Sequence, residues 1–336
     1  MKFISVCGKI PRYFYRGEIF MKKIAKAALI TAAGCAAAYL AAGEAAYEGV
    51  MNIKLSRLLT QKLHLENKPM MDILLNHEVY TSSYEWYDAL DLTDTVIVDS
   101  TGKHIHGYIL KQPEYSKKWA VVMHGYCGDP RAEAPFAKHF YDNGYNIVFP
   151  HMRGHEHDES RYCSMGFYDK DIVCGWIDFV VGEDSESEII LHGTSMGAST
   201  VMLVTGEDIP ENVKVAVADC GYSSCRKMFE GQMKAMKLPS FPFLNAFNTV
   251  SRLRGNLDIN RCSPVEAIKH STTPTLFIHG TDDDLVPYYM LDEVYDACSA
   301  EKDRLDVPGA VHTAAVAVDE KGYFAKVDEF VAKYVK

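Results

Sequence analysis

The sequence predicts an α/β fold: one mostly parallel sheet of eight strands with helices on both faces. Beyond residue 91, short apolar runs alternate with segments of helical periodicity, and such alternation builds parallel strands joined by helical crossovers. Trp119–Met123 is apolar at every position, as a strand covered on both faces requires. An apolar fraction of 48% and a charged fraction of 24% are those of an ordinary globular protein.

Thr95–Val98 and Ile105–Leu110 read as paired strands, and Trp119–Met123 as a buried strand ending at His124-Gly125. Ala132–Asn143 reads as a helix and Tyr145–Phe149 as another buried strand. Further strands are expected at Glu188–His192, Val213–Ala218, Thr275–His279 and Arg304–Val307. Helices are expected near Lys170–Val181, Met196–Gly206 and Pro287–Ala297. Residues 91–336 thus form the main domain. Residues 47–90 read as a helical connector, with Leu55, Leu58, Leu59 and Leu63 at helical spacing. Between Ala218 and Thr275 the rhythm breaks. An insert at about 222–262 carries Met228, Met233, Met236, Leu238, Phe241, Phe243, Leu244 and Phe247. We read it as a small helical cap whose Met and Phe side chains form an adaptable apolar wall. An ordinary packed helix pair is the alternative.

Residues 1–46 differ from the rest. Lys22, Lys23 and Lys26 precede an uncharged, Ala-rich run from Ala27 to Gly43. A basic flank before an apolar run marks a signal peptide or a membrane anchor. The run is at the short end of the roughly 17–25 residues that cross a bilayer. An uncleaved anchor is the first expectation. Cleavage at Ala41-Ala42-Gly43, lipid attachment at Cys35 and a buried helix in a cytosolic protein are the alternatives, and residues 1–20 read as a cytoplasmic tail or an over-extended start. Lysines before the run and Glu44 and Glu48 after it place the bulk of the chain outside the cytoplasm, anchored or secreted.

The formal charge of -10 argues against nucleic acid, which binds through Lys and Arg neutralising phosphates, so the expected partner is a small or medium-sized substrate. The nine cysteines include no C-x-x-C pair, and Cys174 and Cys220 read as small buried thiols. His151, His155 and His157 cluster beside Asp158 and Glu159, which we read as a loop rather than a metal site.

The strongest chemical signal is Gly193-Thr194-Ser195-Met196-Gly197, between an apolar strand and a helix-compatible segment. A sharp strand-to-helix turn holds a serine strained and exposes its hydroxyl, and side chains at the glycines would collide where the turn packs. The hydroxyl needs a base to become a nucleophile. His312, in a loop between the last strand and the final helix, fits that role. The acid that orients it belongs after a strand, where Asp282, Asp283 and Asp284 stand together. Chemistry alone leaves the choice open, with Asp284 a plausible helix cap and Asp219 a distant fallback. The oxyanion needs backbone N–H donors. Met196 should give one, and Tyr126 of the turn His124-Gly125-Tyr126-Cys127-Gly128 the other.

His124-Gly125, Arg153-Gly154-His155, the turn around Ser195, the Gly280…Asp283…Val286-Pro287 string and His312 occur in the order of the α/β-hydrolase superfamily. Over roughly residues 90–336 the chain resembles bacterial membrane-anchored hydrolases of the serine aminopeptidase-like and prolyl-oligopeptidase-like branch. Gly166-Phe167-Tyr168 with Asp169 and Asp171 before a helix also looks like that group. The resemblance selects Asp283 as the acid and implies the α/β-hydrolase fold, a Ser-Asp-His order and no cofactor. The function expected is hydrolysis of a carboxylic ester or thioester with an apolar acyl part, through an acyl-enzyme on Ser195. Aminopeptidase-like amide hydrolysis and acyl transfer are the enzymatic alternatives. An inactive, membrane-tethered binding protein on a hydrolase fold is the alternative of another class.

Overall fold

A computed structural model describes residues 12–63, 67–99, 101–155 and 157–336. Residues 1–11 of the expected tail lie outside these, as do Cys7 and the side chains of Lys22 and Lys23. The N-terminal part is helical, with α1 (Arg12–Met51), α2 (Ile53–Leu63), α3 (Lys68–Asn76) and α4 (Glu78–Asp88). Then follow β1 (Asp94–Val98), β2 (His104–Leu110), β3 (Lys118–Met123), α5 (Ala134–Asp142), β4 (Asn146–Pro150), α6 (Asp169–Glu183), β5 (Glu188–Thr194) and α7 (Met196–Thr205). The chain continues through β6 (Val213–Asp219), α8 (Cys225–Ala235), α9 (Phe243–Gly255), α10 (Pro264–Ala267), β7 (Thr275–Gly280), α11 (Tyr289–Ala297), β8 (Lys302–Val307), α12 (Ala315–Val318) and α13 (Glu320–Val331).

The strands form one sheet in the order β1-β2-β4-β3-β5-β6-β7-β8. β2 is antiparallel to both its neighbours, and every other pair is parallel. This is the α/β-hydrolase fold expected from the sequence. Several boundaries shift by one or two residues, among them the starts of two helices. The helix expected from Ala132 opens as a 3-10 turn over Pro130–Glu133, with Asp129 capping Ala132 N–H. The helix expected from Pro287 starts at Tyr289.

Strand period sorts the core into two layers. Trp119, Val121 and Met123 of β3 face a cluster with Val173, Trp176 and Ile177 of α6. Ala120 and Val122 face the other cluster, with Tyr80 of α4, Phe136 and Phe140 of α5, and Val327 and Phe330 of α13. Residues 47–90 are therefore more than a connector, because α4 is part of the second helical layer.

Within α1, Ala28–Met51 is long and apolar enough to cross a membrane. Its turns from residue 28 to 38 are exposed, and from Tyr39 onward the helix packs on α9. Gly43 lies against the Ala246 carbonyl, with no room for a Cβ, and next to Val250. Tyr39 Oη meets Thr249 Oγ1 at 3.1 Å, and Arg254 pairs with Glu44 and Glu48.

A buried polar network lies beneath the carboxyl ends of β5 and β6. Thr194 Oγ1 donates to Glu133 Oε2 at 3.0 Å. Tyr323 of α13 donates to Asp219 Oδ2 at 3.0 Å, and its oxygen lies 3.1 Å from His192 Nε2. Burial pushes Glu133 up to about 8 against the pull of its Thr194 hydrogen bond, and holds His192 at about 4. A carboxyl that keeps its proton in the fold gives stability that is full below its ordinary value of 4.5 and fades as pH rises through about 8. Replacing Glu133 with Gln is expected to remove this loss. Relative to wild type the variant should gain stability of a few kcal/mol between pH 5 and 9, measured by denaturant unfolding across that range. A difference between the two proteins that does not change with pH would show that Glu133 does not titrate in this window.

Candidate active site

β5 hands over to α7 through a single residue, Ser195, at φ 58° and ψ −115°. A non-glycine residue there is strained by about 1–3 kcal/mol and persists only where the surroundings fix it. Two glycines let the strand and helix meet. A Cβ at Gly193 would overlap the Gly197 carbonyl, and one at Gly197 would overlap the Met123 carbonyl of β3. Ser195 N–H donates to Asp219 O at 2.8 Å, tying the turn to β6.

The loop after β8 brings His312 over the serine. His312 Nε2 lies 2.8 Å from Ser195 Oγ, and Nδ1 lies 2.7 Å from Asp283 Oδ2. All three residues are buried. Gly280, at the end of β7, lets this loop approach, since a Cβ there would overlap the Ala310 carbonyl. Asp283 Oδ1 accepts the N–H groups of Leu285 and Val286 at 3.0 and 2.8 Å. His279 Nε2 stands 3.2 Å from Asp283 Oδ2 and 3.0 Å from the Val286 carbonyl. Burial alone would raise the Asp283 carboxyl, but His312 and His279 outweigh it and hold the group at about 2. It is ionised throughout the neutral range.

The other aspartates stand elsewhere. Asp284 caps no helix, because α11 starts five residues later, and its Oδ1 accepts from Asn67 Nδ2 at 3.0 Å. Asp219 directs its carboxylate to Tyr323 rather than to His312.

Gly125 runs against the serine so closely that a Cβ there would press on Ser195 Cβ at 3.2 Å. Among the described residues, no hydrogen bond takes up the N–H of Tyr126 or of Met196, and both residues line the cavity beside Ser195. Four residues fix the Tyr126 loop. Arg57 of α2 donates to the carbonyls of Cys127 and Gly128 at 2.8–3.1 Å. The Tyr126 hydroxyl donates to Val50 O and lies 2.8 Å from Ser56 Oγ. Cys127 N–H donates to His155 Nε2 at 3.1 Å, while His155 Nδ1 donates to Arg153 O. On the other side, Tyr80 of α4 donates to Thr313 O at 2.6 Å, next to His312. Arg57, Tyr80 and His279 have no motif in the sequence. A lone Arg or Tyr on an amphipathic helix gives no signal of the loop it reaches.

A cavity of about 520 Å³ opens above Ser195. Its walls are Met228, Phe229 and Met233 of α8, Leu244 and Phe247 of α9, and Val50, Leu59 and Leu63 of α1 and α2. Of the eight insert residues singled out in the sequence, Met228, Met233, Met236, Phe243, Leu244 and Phe247 line it, whereas Leu238 and Phe241 lie outside, exposed to solvent. No charged side chain of the described residues lines this cavity.

Cys220, Asp283 and His312 bring one donor atom each within 4.8 Å. They suit a metal poorly, because both His312 nitrogens are engaged and burial drives the Cys220 thiol well above its usual range. In the histidine-rich loop the rings of His151 and His157 stack 5.2 Å apart, while His155 pairs with His124 at 4.9 Å. His155 is taken up by backbone partners. The eight described cysteines are free; Cys220 is buried and Cys174 is half-buried on α6. Asp169, expected before α6, is a buried brace that accepts from Arg153 N–H, Ser164 Oγ and Gly166 N–H.

Protein YqkD of Bacillus subtilis is 26% identical over 257 residues, covering 76% of this chain and 83% of its own. Protein YfhR of Salmonella typhimurium is 23% identical over 224 residues, covering 64% and 72%. Among solved structures, an esterase of Pyrococcus furiosus superposes with a TM-score of 0.59 at 20% identity, over 74% of this chain and 93% of that one. An acylaminoacyl peptidase of Pyrococcus horikoshii gives 0.55 at 16% identity, over 75% of this chain but only 43% of the peptidase. These structural likenesses establish the fold. The model of the prolyl oligopeptidase family matches residues 135–336, a stretch that holds Ser195, Asp283 and His312 and leaves out Tyr126. The chain belongs to the prolyl oligopeptidase family and is a serine hydrolase of the α/β-hydrolase fold.

Proposed function

We propose that the chain cleaves a carboxylic ester or thioester with an apolar acyl group through an acyl-enzyme on Ser195. One observation carries the reading: the unbroken chain Ser195–His312–Asp283 ends at the floor of an apolar cavity. In this mechanism His312 Nε2 takes the Ser195 proton as Oγ attacks the acyl carbonyl. Asp283 steadies the imidazolium that forms. The N–H groups of Met196 and Tyr126 receive the oxyanion. His312 then protonates the leaving alcohol or thiol, and a water activated by His312 hydrolyses the acyl-enzyme.

The cavity walls favour a neutral acyl group over a free amino terminus. Burying an ammonium without a carboxylate costs several kcal/mol, and no acidic side chain of the described residues lines the cavity. That weighs against the aminopeptidase-like reading. The esterase named among the structural neighbours agrees with the ester reading. We also read α8 and α9 as the cap, and α1 as an uncleaved anchor with the catalytic domain outside the cytoplasm. Cleavage near Gly43 would cut a helix that is continuous and packed against α9 at that residue.

Hydrolysis of p-nitrophenyl esters from acetate to palmitate by the full chain tests the reading. Ser195→Ala should lower turnover by about 10⁶-fold and Asp283→Asn by about 10⁴-fold, with loss of fluorophosphonate labelling in the serine variant. Ester hydrolysis retained by Ser195→Ala would sink the mechanism. Arg57→Ala, which frees the Tyr126 loop, should lower kcat about tenfold with little change in KM, because Arg57 is not part of the acyl wall. A rise in KM at constant kcat would instead make Arg57 part of substrate binding.

A further inference from the structure

The cavity is not equally closed on all sides. Of its lining side chains, Leu63, Met236 and Phe243 are 61%, 58% and 48% exposed, so the mouth lies between the end of α2 and the turn joining α8 to α9. That turn also carries Leu238 and Phe241, 52% and 74% exposed. Large apolar side chains gathered at one rim mark a contact surface rather than ordinary scatter. Lys234 and Lys237 flank them, both exposed, on a chain whose formal charge is -10.

The packing of α1 on α9 says what this rim meets. The two helices run in the same direction: Gly43 lies against Ala246 and Val250, and Tyr47 reaches Gly255. At about 1.5 Å per residue, the start of α9 is then level with the turn of α1 around Tyr39. That is where α1 leaves the body and becomes the exposed apolar helix. The uncharged run 27–43 is roughly 26 Å long, against about 30 Å of hydrocarbon. A short span draws its flanking structure toward the bilayer. The run ends at Glu44, which pairs with Arg254, so the polar boundary lies there. The apolar turn stands about four residues, or roughly 6 Å, on the hydrocarbon side of it, within the 5–10 Å to which apolar faces sink at an interface.

We propose that the turn Met236–Phe243 dips into the outer leaflet and that the cavity takes its substrate from it. The substrate class is then a long-chain acyl ester dissolved in the bilayer, whose acyl chain slides past Leu63, Met236 and Phe243 to reach Ser195. Lys234 and Lys237 lay their aliphatic stems along the apolar turn and keep their ammonium groups at headgroup level. The assignment rests on the reading of Ser195 as the acylated nucleophile, and it adds the route by which the acyl group arrives.

The test uses the full chain in dioleoylphosphatidylcholine vesicles, with water-soluble p-nitrophenyl butyrate and bilayer-borne p-nitrophenyl palmitate as substrates. Leu238→Asp combined with Phe241→Asp changes two residues outside the cavity wall. The pair should lower palmitate turnover by about tenfold or more and leave butyrate turnover nearly unchanged. A separate variant, Phe241→Trp, should gain fluorescence quenched by shallow doxyl-labelled lipids relative to wild type, and this readout decides the matter if the double variant loses both activities through misfolding. Equal palmitate turnover by wild type and a folded double variant overturns the proposal. So does an introduced indole beyond reach of the quencher. If wild type hydrolyses neither ester, the nucleophile reading fails and the substrate route falls with it, whatever the quenching shows.

Discussion

Ser195 can hold its backbone at φ 58° only because three strands meet around it with no side chain between them. Gly197 lets α7 rest on the end of β3, Gly193 lets it rest on β5, and the Asp219 carbonyl takes the serine N–H from β6. The resulting strain of about 1–3 kcal/mol is offset by the surrounding sheet rather than by the turn itself. The network of Glu133, Thr194, His192, Tyr323 and Asp219 stiffens the sheet directly beneath. Parallel strands ending at one level fix where the loops after β3, β7 and β8 begin, and those loops carry Tyr126, Asp283 and His312.

Loops begin at the sheet but are not held by it. The Tyr126 loop is fastened by Arg57, and the His312 loop by Tyr80, both from helices that precede the first strand. The same helices supply part of the cavity wall, and α1 continues from that wall into the apolar segment. The apolar N-terminal helix, the cavity wall and the Tyr126 loop are thus one mechanical unit. A change at the N-terminal helices reaches the site through named hydrogen bonds, without passing through the sheet.

The five central strands, β3 to β7, were legible because burial on both faces writes itself as apolar runs, and the serine because its turn demands glycines on both sides. His312 was legible from its place after the last strand. Asp283 was not separable from Asp282 and Asp284 by chemistry, since the choice depends on which carboxylate faces His312, 29 residues away. Asp284 looked like a cap and is instead bound to Asn67, a partner 217 positions distant. Arg57, Tyr80 and His279 stayed hidden for the same reason: their value lies in long-range contacts, and local periodicity carries none of that information. The insert was legible as apolar, but not which of its side chains would turn inward. Phe241 differs from Phe243 in nothing but position.

Charge and apolar surface are kept apart in this site, and that separation bears on specificity. Asp283 stays ionised because two histidines and two backbone N–H groups surround it, so the charge beside His312 is supplied from the side away from Ser195. The wall in front is free of charged groups among the described residues. An apolar wall of this kind distinguishes substrates weakly, since one methylene is worth only about 1–3 kcal/mol. The three side chains at the mouth, Leu63, Met236 and Phe243, add no polar test of their own. On the ester reading proposed above, selection among substrates rests less on recognition inside the cavity than on which esters are presented at its mouth. A protein that carries its own apolar helix, rigidly docked beside that mouth, limits the encounter by location.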